Sequence, residues 1–338
     1  MDEVEEWLAD ERRRWVVTGA AGFIGSHLVE MLLRHGQTVV GIDDFSTGHP
    51  EHLEEVGRSV GGLGRFTLER GDIRDDALLA RVMKEGDLVL HQAARGSVPR
   101  SFDHPGETND VNVVGSSRVC LACIRAGARA FVYASSSSVY GDSPVLPRVE
   151  DQLGDPLSPY ADGKRMAEKF AVSRARIDGL PAVGLRYFNV FGPRQRADGR
   201  YPAVIPRWTS ELVAGQPPLL FGGADRSRDF TPVANVVRAN LLAARAASDV
   251  AGRVYNVGLG ERRTLGELFV VLRDRLAARG YPCAGARYRA ADPRRGDPAH
   301  GWADLSLARA ELGYEPIEPF DAGLERTLDA TAPPRNSA

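Results

Sequence analysis

Cysteine is scarce in this chain of 338 residues, with only Cys120, Cys123 and Cys283. Three cannot build a disulfide framework. Cys120 and Cys123 form a C-x-x-C pair, but they sit in an apolar helical run, VCLACI, with no second pair of ligands. They read as packing residues, not as a redox or zinc centre. An excess of charge is lacking too. The net charge of −2 offers no bulk attraction for nucleic acid or a membrane surface, so neither is an expected partner. No apolar run is long enough to span a bilayer. Met1 to Arg14 is acidic, then basic, without the apolar core of a secretory signal, so the expected location is cytoplasmic. The seven histidines are scattered. His49 and His52 fall in a loop with Gly48 and Pro50 and are expected to be solvated, and no metal site is expected. No repeat or low-complexity tract is visible.

What is present is a chain long enough for one large two-lobed domain, 43% hydrophobic and 26% charged, with mostly arginine as its base. Its organising stretch is Val16 to Gly25, VVTGAAGFIG. Trp15 to Val17 reads as a short buried strand. Gly19, Gly22 and Gly25 follow at G-x-x-G-x-x-G spacing, and Ile24 to His35 carries apolar residues at helical intervals. Such glycines permit a tight turn, a close approach to a pyrophosphate and close helix–sheet packing. The helix N-terminus offers free N–H groups to phosphate. Thr38 to Asp43 is a second buried strand ending in an acid. Asp43 stands near the spacing at which a carboxylate binds an adenosine ribose, which favours NAD over NADP.

Strands and helices then alternate. Strands are expected at Phe66–Glu69, Leu88–Gln92, Phe131–Ala134 and Ala182–Tyr187. Helices are expected from Ile73 to Lys84, from about Pro105 to Ala126 and from Tyr160 to Ile177. This pattern predicts an α/β fold, a Rossmann-type doubly wound parallel sheet with a smaller α/β substrate lobe after it. The expected boundaries are an arm at 1–14, mobile or helical, a dinucleotide-binding domain at 15–188, a substrate lobe at 189–330 with some chain exchange, and a frayed tail at 331–338. In the second lobe, helices are expected at Asn235–Ala247, Leu265–Arg279 and Leu305–Leu312 and a strand at Val254–Val257. Ligands of such sheets sit outside the C-terminal strand ends. That puts Asp43, Gln92 to Arg95, Ser135 to Ser138 and Tyr187 to Asn189 along one cleft.

Tyr160 and Lys164, four apart, share one helical face. A phenol of ordinary pKa about 10 is a poor base at neutral pH. A neighbouring ammonium stabilises its phenolate, and a serine hydroxyl from the strand end Ser135–Ser138 completes a proton path.

With these residues in place the chain resembles the extended short-chain dehydrogenase/reductases, and among them the nucleotide-sugar epimerases. The markers are TGAAGFIG, GDIRD, HQAA, SSSSVYG, SPYADGK, LRYFNVFGPRQ, SRDF and RRGD, in family order from Arg14 to Ala330. HQAARGSVPRS and LRYFNVFG are similar to the N-acetylhexosamine 4-epimerase branch. The resemblance implies Tyr160 as catalytic base, Lys164 as its cofactor-binding partner and Ser136 as catalytic serine. It implies a cofactor site of Gly19, Gly22, Phe23, Ile24, Gly25, Asp43, Asp44, Asp72, Ile73, Gln92, Ala93, Ala94 and Tyr187, with Asn112 behind it. For the substrate it implies Gly96, Ser97, Ser136, Ser137 and Val204, with Asn189, Arg228 and Arg294 on a diphosphate and Asp297 on a uridine ribose. The implied reaction is redox without net redox. Tyr160 takes the proton of a sugar 4-hydroxyl as hydride leaves C4 for NAD, the 4-keto sugar turns about its diphosphate link, and hydride returns to the other face.

Three features separate neighbouring activities. Ser137-Ser138 stand where dehydratases of the superfamily resemble one another in carrying Asp-Glu, so elimination of water is disfavoured. Gly301 stands where glucose-restricted epimerases carry a tyrosine, leaving room for an N-acetyl group. Arg196 resembles the carboxylate-gripping arginine of uronate epimerases. The expected substrates are therefore UDP-GlcNAc and UDP-GalNAc, with UDP-glucose and UDP-galactose, and UDP-glucuronate or an N-acetylated uronate as the alternative. A homodimer through the helices near 105–126 and 160–177 is what the family implies.

Overall fold

The computed structural model describes residues 3–198 and 201–335. Its centre is a parallel sheet of β1 (Arg14–Thr18), β2 (Thr38–Asp43), β3 (Phe66–Arg70), β4 (Leu88–His91), β5 (Ala130–Ser136), β6 (Ala182–Tyr187) and a seventh strand, Val254–Val257. The spatial order is β3-β2-β1-β4-β5-β6 with the seventh strand beside β6. The chain therefore runs outward from β1 in one direction, then returns and runs outward from β4 in the other. The gap between β1 and β4 is the switch point at which such sheets bind ligands. Alternation along β1 sorts its side chains by face. Trp15 and Val17 join a core with Leu28, Leu32, Val132 and Leu241, while Val16 joins Ile42, Val89, Val119 and Phe131 on the other face. Cys120 and Cys123 are buried, reduced members of that second core.

A third core in the C-terminal lobe gathers Trp208, Leu220, Phe269, Leu272 and Leu324. The lobe is not a separate bead. Its chain sends back the helix Val233–Ala246 and the strand Val254–Val257, which extends the main sheet beyond residue 188. Residues 3–10 are helical and seated, with Val4 and Leu8 buried. The tail corrects the expectation of fraying. The helix Phe320–Thr331 runs into buried Ala332, the Tyr281 hydroxyl donates to the Pro333 carbonyl at 2.9 Å, and the Arg335 amide donates to the Arg279 carbonyl at 2.9 Å. Residues 336–338 lie outside the described residues. The stretch around His49 and His52 is also corrected. A helix, Pro50–Ser59, carries His52 into the interior, where its Nδ1 lies 2.9 Å from the Ala21 carbonyl. The helix expected over 105–126 is continuous but changes pitch, with a π-helical segment at Asp110–Gly115. Among the described residues, no helix is long and apolar enough to cross a membrane.

Candidate active site

The turn after β1 is shaped by backbone crowding. Gly19 has φ +69°, and a Cβ there would stand 2.9 Å from the Ala93 amide nitrogen at the end of β4. A Cβ on Gly25 would stand 2.0 Å from the Gly19 carbonyl oxygen. Only glycine at both positions lets the loop, the helix Phe23–Arg34 and the β4 end meet. The start of that helix has no side-chain cap, so its first N–H groups are left for a ligand. Asp43, at the end of β2, is buried. Its carboxylate accepts from the Ala21 amide at 2.9 Å and from the Phe45 amide at 2.8 Å. Burial pushes its pKa up, against those two bonds. Two acceptor lone pairs are thus tied to the loop, and the remaining ones face the cavity that Asp43 lines.

That cavity, about 500 Å³, is lined by Gly19, Gly22, Phe23, Ile24, Gly25, Asp43, Asp44, Asp72, Ile73, Gln92, Ala93, Ala94, Gly96, Ser97, Tyr160, Lys164, Tyr187 and Arg196. Of the residues expected at the cofactor, Asn112 stands behind it. Fully buried in the π-helical segment, Asn112 accepts from the Arg95 amide at 2.7 Å and donates to the Arg95 carbonyl at 3.1 Å, fixing the backbone of the cavity wall. Asp72 is held by Arg74, which keeps its carboxyl below the usual range.

Tyr160 and Lys164 line this cavity together with Ser135, and Ser136 stands beside Tyr160 without lining the wall. Ser136 closes β5, and its hydroxyl is hydrogen-bonded to Tyr160. Burial raises the Tyr160 pKa, and that bond works against the rise. Ser158 caps the helix Pro159–Asp178, which fixes Tyr160 in its first turn. One turn on, the Lys164 ammonium donates to the Ala134 carbonyl at 2.7 Å. Burial draws its pKa down to about 8, opposed by Glu168. Ser137 opens the turn after Ser136 and, like Ser136, lies outside the cavity wall.

A second cavity adjoins the first and shares Gln195 and Ala203 with it. Asn189, Val204, Arg228, Arg294 and Asp297 line it, as the motifs implied. Arg228 and Asp297 are already paired, Nη2 to Oδ1, at 2.5 Å. The Arg294 guanidinium lies 4.0 Å from the centre of the Phe221 ring. Gly301 pairs in register with Arg228 but lines neither cavity, and apart from its chain neighbours no atom lies within 4 Å of where its Cβ would be. Arg196 lines the first cavity but is held by both oxygens of Asp198, with Nε at 3.0 and 2.9 Å.

Three contributors were not among the expected site residues, although Asp229 stands inside the SRDF marker. Asn240, fully buried on the helix Val233–Ala246, donates to the Tyr187 hydroxyl at 2.8 Å and accepts from Gln92 at 3.0 Å, while Tyr187 donates to Gln92 at 3.1 Å. This ring locks two cavity residues. Its place between Ala239 and Leu241-Leu242, on the buried side of the helix, was the available signal. Asp229 accepts three amides, from Leu259, Gly260 and Ala303, and burial lifts its pKa to about 6. It ties the Arg228 strand to the Gly301 segment. Arg207 is the third.

The pattern of the NAD dependent epimerase/dehydratase family matches residues 15–258. The UDP-glucose 4-epimerase of Mycolicibacterium smegmatis is 35% identical over 318 residues, 94% of this chain and 97% of its own. A solved UDP-N-acetylglucosamine 4-epimerase from Methanobrevibacter ruminantium, in complex with UDP-N-acetylmuramic acid, is 36% identical with a TM-score of 0.86, covering 95% of this chain and 98% of that one. A UDP-glucuronic acid 4-epimerase from Bacillus cereus, solved with UDP-glucuronic acid and NAD, is 31% identical with a TM-score of 0.82 over 94% and 98%.

Proposed function

The chain belongs to the NAD dependent epimerase/dehydratase family, and on that premise we propose that it interconverts UDP-GlcNAc and UDP-GalNAc, and UDP-glucose and UDP-galactose, by inversion at C4. It is an isomerase, a UDP-sugar 4-epimerase that uses NAD. The residues fit that cofactor. A Cβ at Gly19 or Gly25 would press on backbone atoms at 2.9 and 2.0 Å, and Asp43 holds a carboxylate in the cavity. When bound, NAD supplies the hydride acceptor and donor. The chain's own groups do the rest. Tyr160 takes and returns the proton of the 4-hydroxyl, and Ser136 passes it. Lys164 stabilises the phenolate. Arg228 and Arg294 hold the diphosphate, Asn189 assists them, and Asp297 takes the uridine ribose. Charge-assisted forks on phosphate hold firmly while the sugar is free to turn. Ser137 and Ser138 offer no carboxylate pair for expelling water, which favours epimerisation over dehydration.

The observation that carries the N-acetyl reading is Gly301, whose missing side chain leaves open space beside the strand of Arg228. A uronate is the second reading, because Arg196 lines the cavity. Its bidentate hold on Asp198 counts against it. A panel of UDP-sugars followed by NMR separates the two. Turnover confined to uronates sinks the hexosamine reading. Arg196→Ala should abolish uronate turnover and spare neutral sugars. Tyr160→Phe should lower turnover about 10²–10⁴-fold, and an unchanged rate would remove the assigned base. We also propose that the chain is a homodimer through the helices Pro105–Ala126 and Pro159–Asp178.

A further inference from the structure

Arg207 lies on the helix Val204–Val213 and lines the nucleotide cavity. Its Nη2 donates to the Leu219 carbonyl at 2.6 Å, and its guanidinium carbon lies 5.1 Å from the Phe221 ring centre. Arg294 lies 4.0 Å from the same ring. Two cations therefore converge on one aromatic surface. Burial and the neighbouring Arg294 both push the Arg207 pKa down, and burial does the same to Arg294.

Compensation for this charge is thin. The Arg207 Nε is buried with no hydrogen-bond partner, and Glu211 stands 4.0 Å from it. Asp297 is committed to Arg228 at 2.5 Å. The cavity wall sets Arg207, Arg228, Arg294 and Arg295 against Asp297 alone. A neutral base or sugar needs no such surplus, whereas a diphosphate carries two negative charges to meet it. Like charges held close and half out of water are costly without an anion, and an anion placed between them recovers that cost.

We infer that Arg207 is a further diphosphate contact, working beside Arg294 on the Phe221 ring, and is not merely a strut for the strand Leu219–Phe221. This rests on the UDP-sugar reading above. The test is titration of the purified protein with UDP by calorimetry and with uridine by NMR. Arg207→Gln keeps a donor for the Leu219 carbonyl but removes the charge, and Arg207→Leu removes both. Either variant should weaken UDP about tenfold to a hundredfold, leave uridine within about twofold, and flatten the salt dependence of UDP binding. Arg207→Lys should recover part of the loss. If Arg207→Leu does not fold, Arg207→Gln decides alone. Equal loss of UDP and uridine reduces Arg207 to a strut and overturns the inference. So does unchanged UDP affinity. A wild-type protein that fails to bind UDP overturns the UDP-sugar reading itself, which keeps the two failures apart.

Discussion

His91 shows how much a single side chain is asked to do under the sheet edge. It is fully enclosed, with Nδ1 at 2.7 Å from the Thr18 hydroxyl and Nε2 at 2.9 Å from the Ser116 hydroxyl. Burial, aided by Lys164, holds its pKa at about 3. His27, between the Pro193 carbonyl and Arg194, is also held at about 3, by burial and then by Arg194. Both pKa values are lowered on folding, so between about 3 and 6.5 the unfolded chain binds protons that the fold does not. Stability must then fall as pH falls through that window, by at most about 1.4 kcal/mol per pH unit for each histidine. Urea unfolding at several pH values from 6.5 down to 4.5 measures the slope. His91→Gln should remove one histidine's share of it, and a slope unchanged in that variant would mean that His91 is protonated in the native state.

At the scale of elements, the glycine turn is the place where sequence and structure agree most closely. Gly25→Ala would press a methyl onto the Gly19 carbonyl at 2.0 Å, a backbone contact with no flexible end to yield. The loop must open, and we expect the purified variant to carry little NAD and to melt several degrees lower. The absorbance ratio at 260 and 280 nm checks the first, and a variant that retains NAD like the wild type would show that the cradle is slack. The same stretch was legible from the chain because its constraint is steric and glycine is the only residue that answers it. Tyr160 and Lys164 were legible for a similar reason, since a four-residue spacing on a helix is geometry. The π-helical segment at Asp110–Gly115 was not. Its hydrogen bonds shift by one residue, a change of pitch that residue types do not announce. The helix Pro50–Ser59 hid behind Gly48 and its own first residue, Pro50, which read as loop. Arg207 hid in plain helical periodicity, because its partners Phe221 and Arg294 come from distant segments. The same holds for Asn240, which only the fold brings to Tyr187 and Gln92.

For the whole molecule, the proposed dimer has a surface to use. The helices Pro105–Ala126 and Pro159–Asp178 carry Val114 and Met166 with 39% and 46% of their surface in solvent. Light scattering should give a mass near twice 36.7 kDa, and Met166→Glu should shift it toward the single chain. A wild-type protein that scatters as one chain removes the proposal.

The strand Val254–Val257 has a consequence of its own. It belongs to the second half of the chain, yet it is hydrogen-bonded along β6 and followed by a loop whose amides are held by Asp229. The wall that carries Arg228 and the wall that carries Tyr160 are therefore stitched into one body. Swinging them apart like a jaw would require unzipping the edge of the sheet. In the proposed reaction, inversion is then a motion of the sugar within a fixed frame and not of the protein.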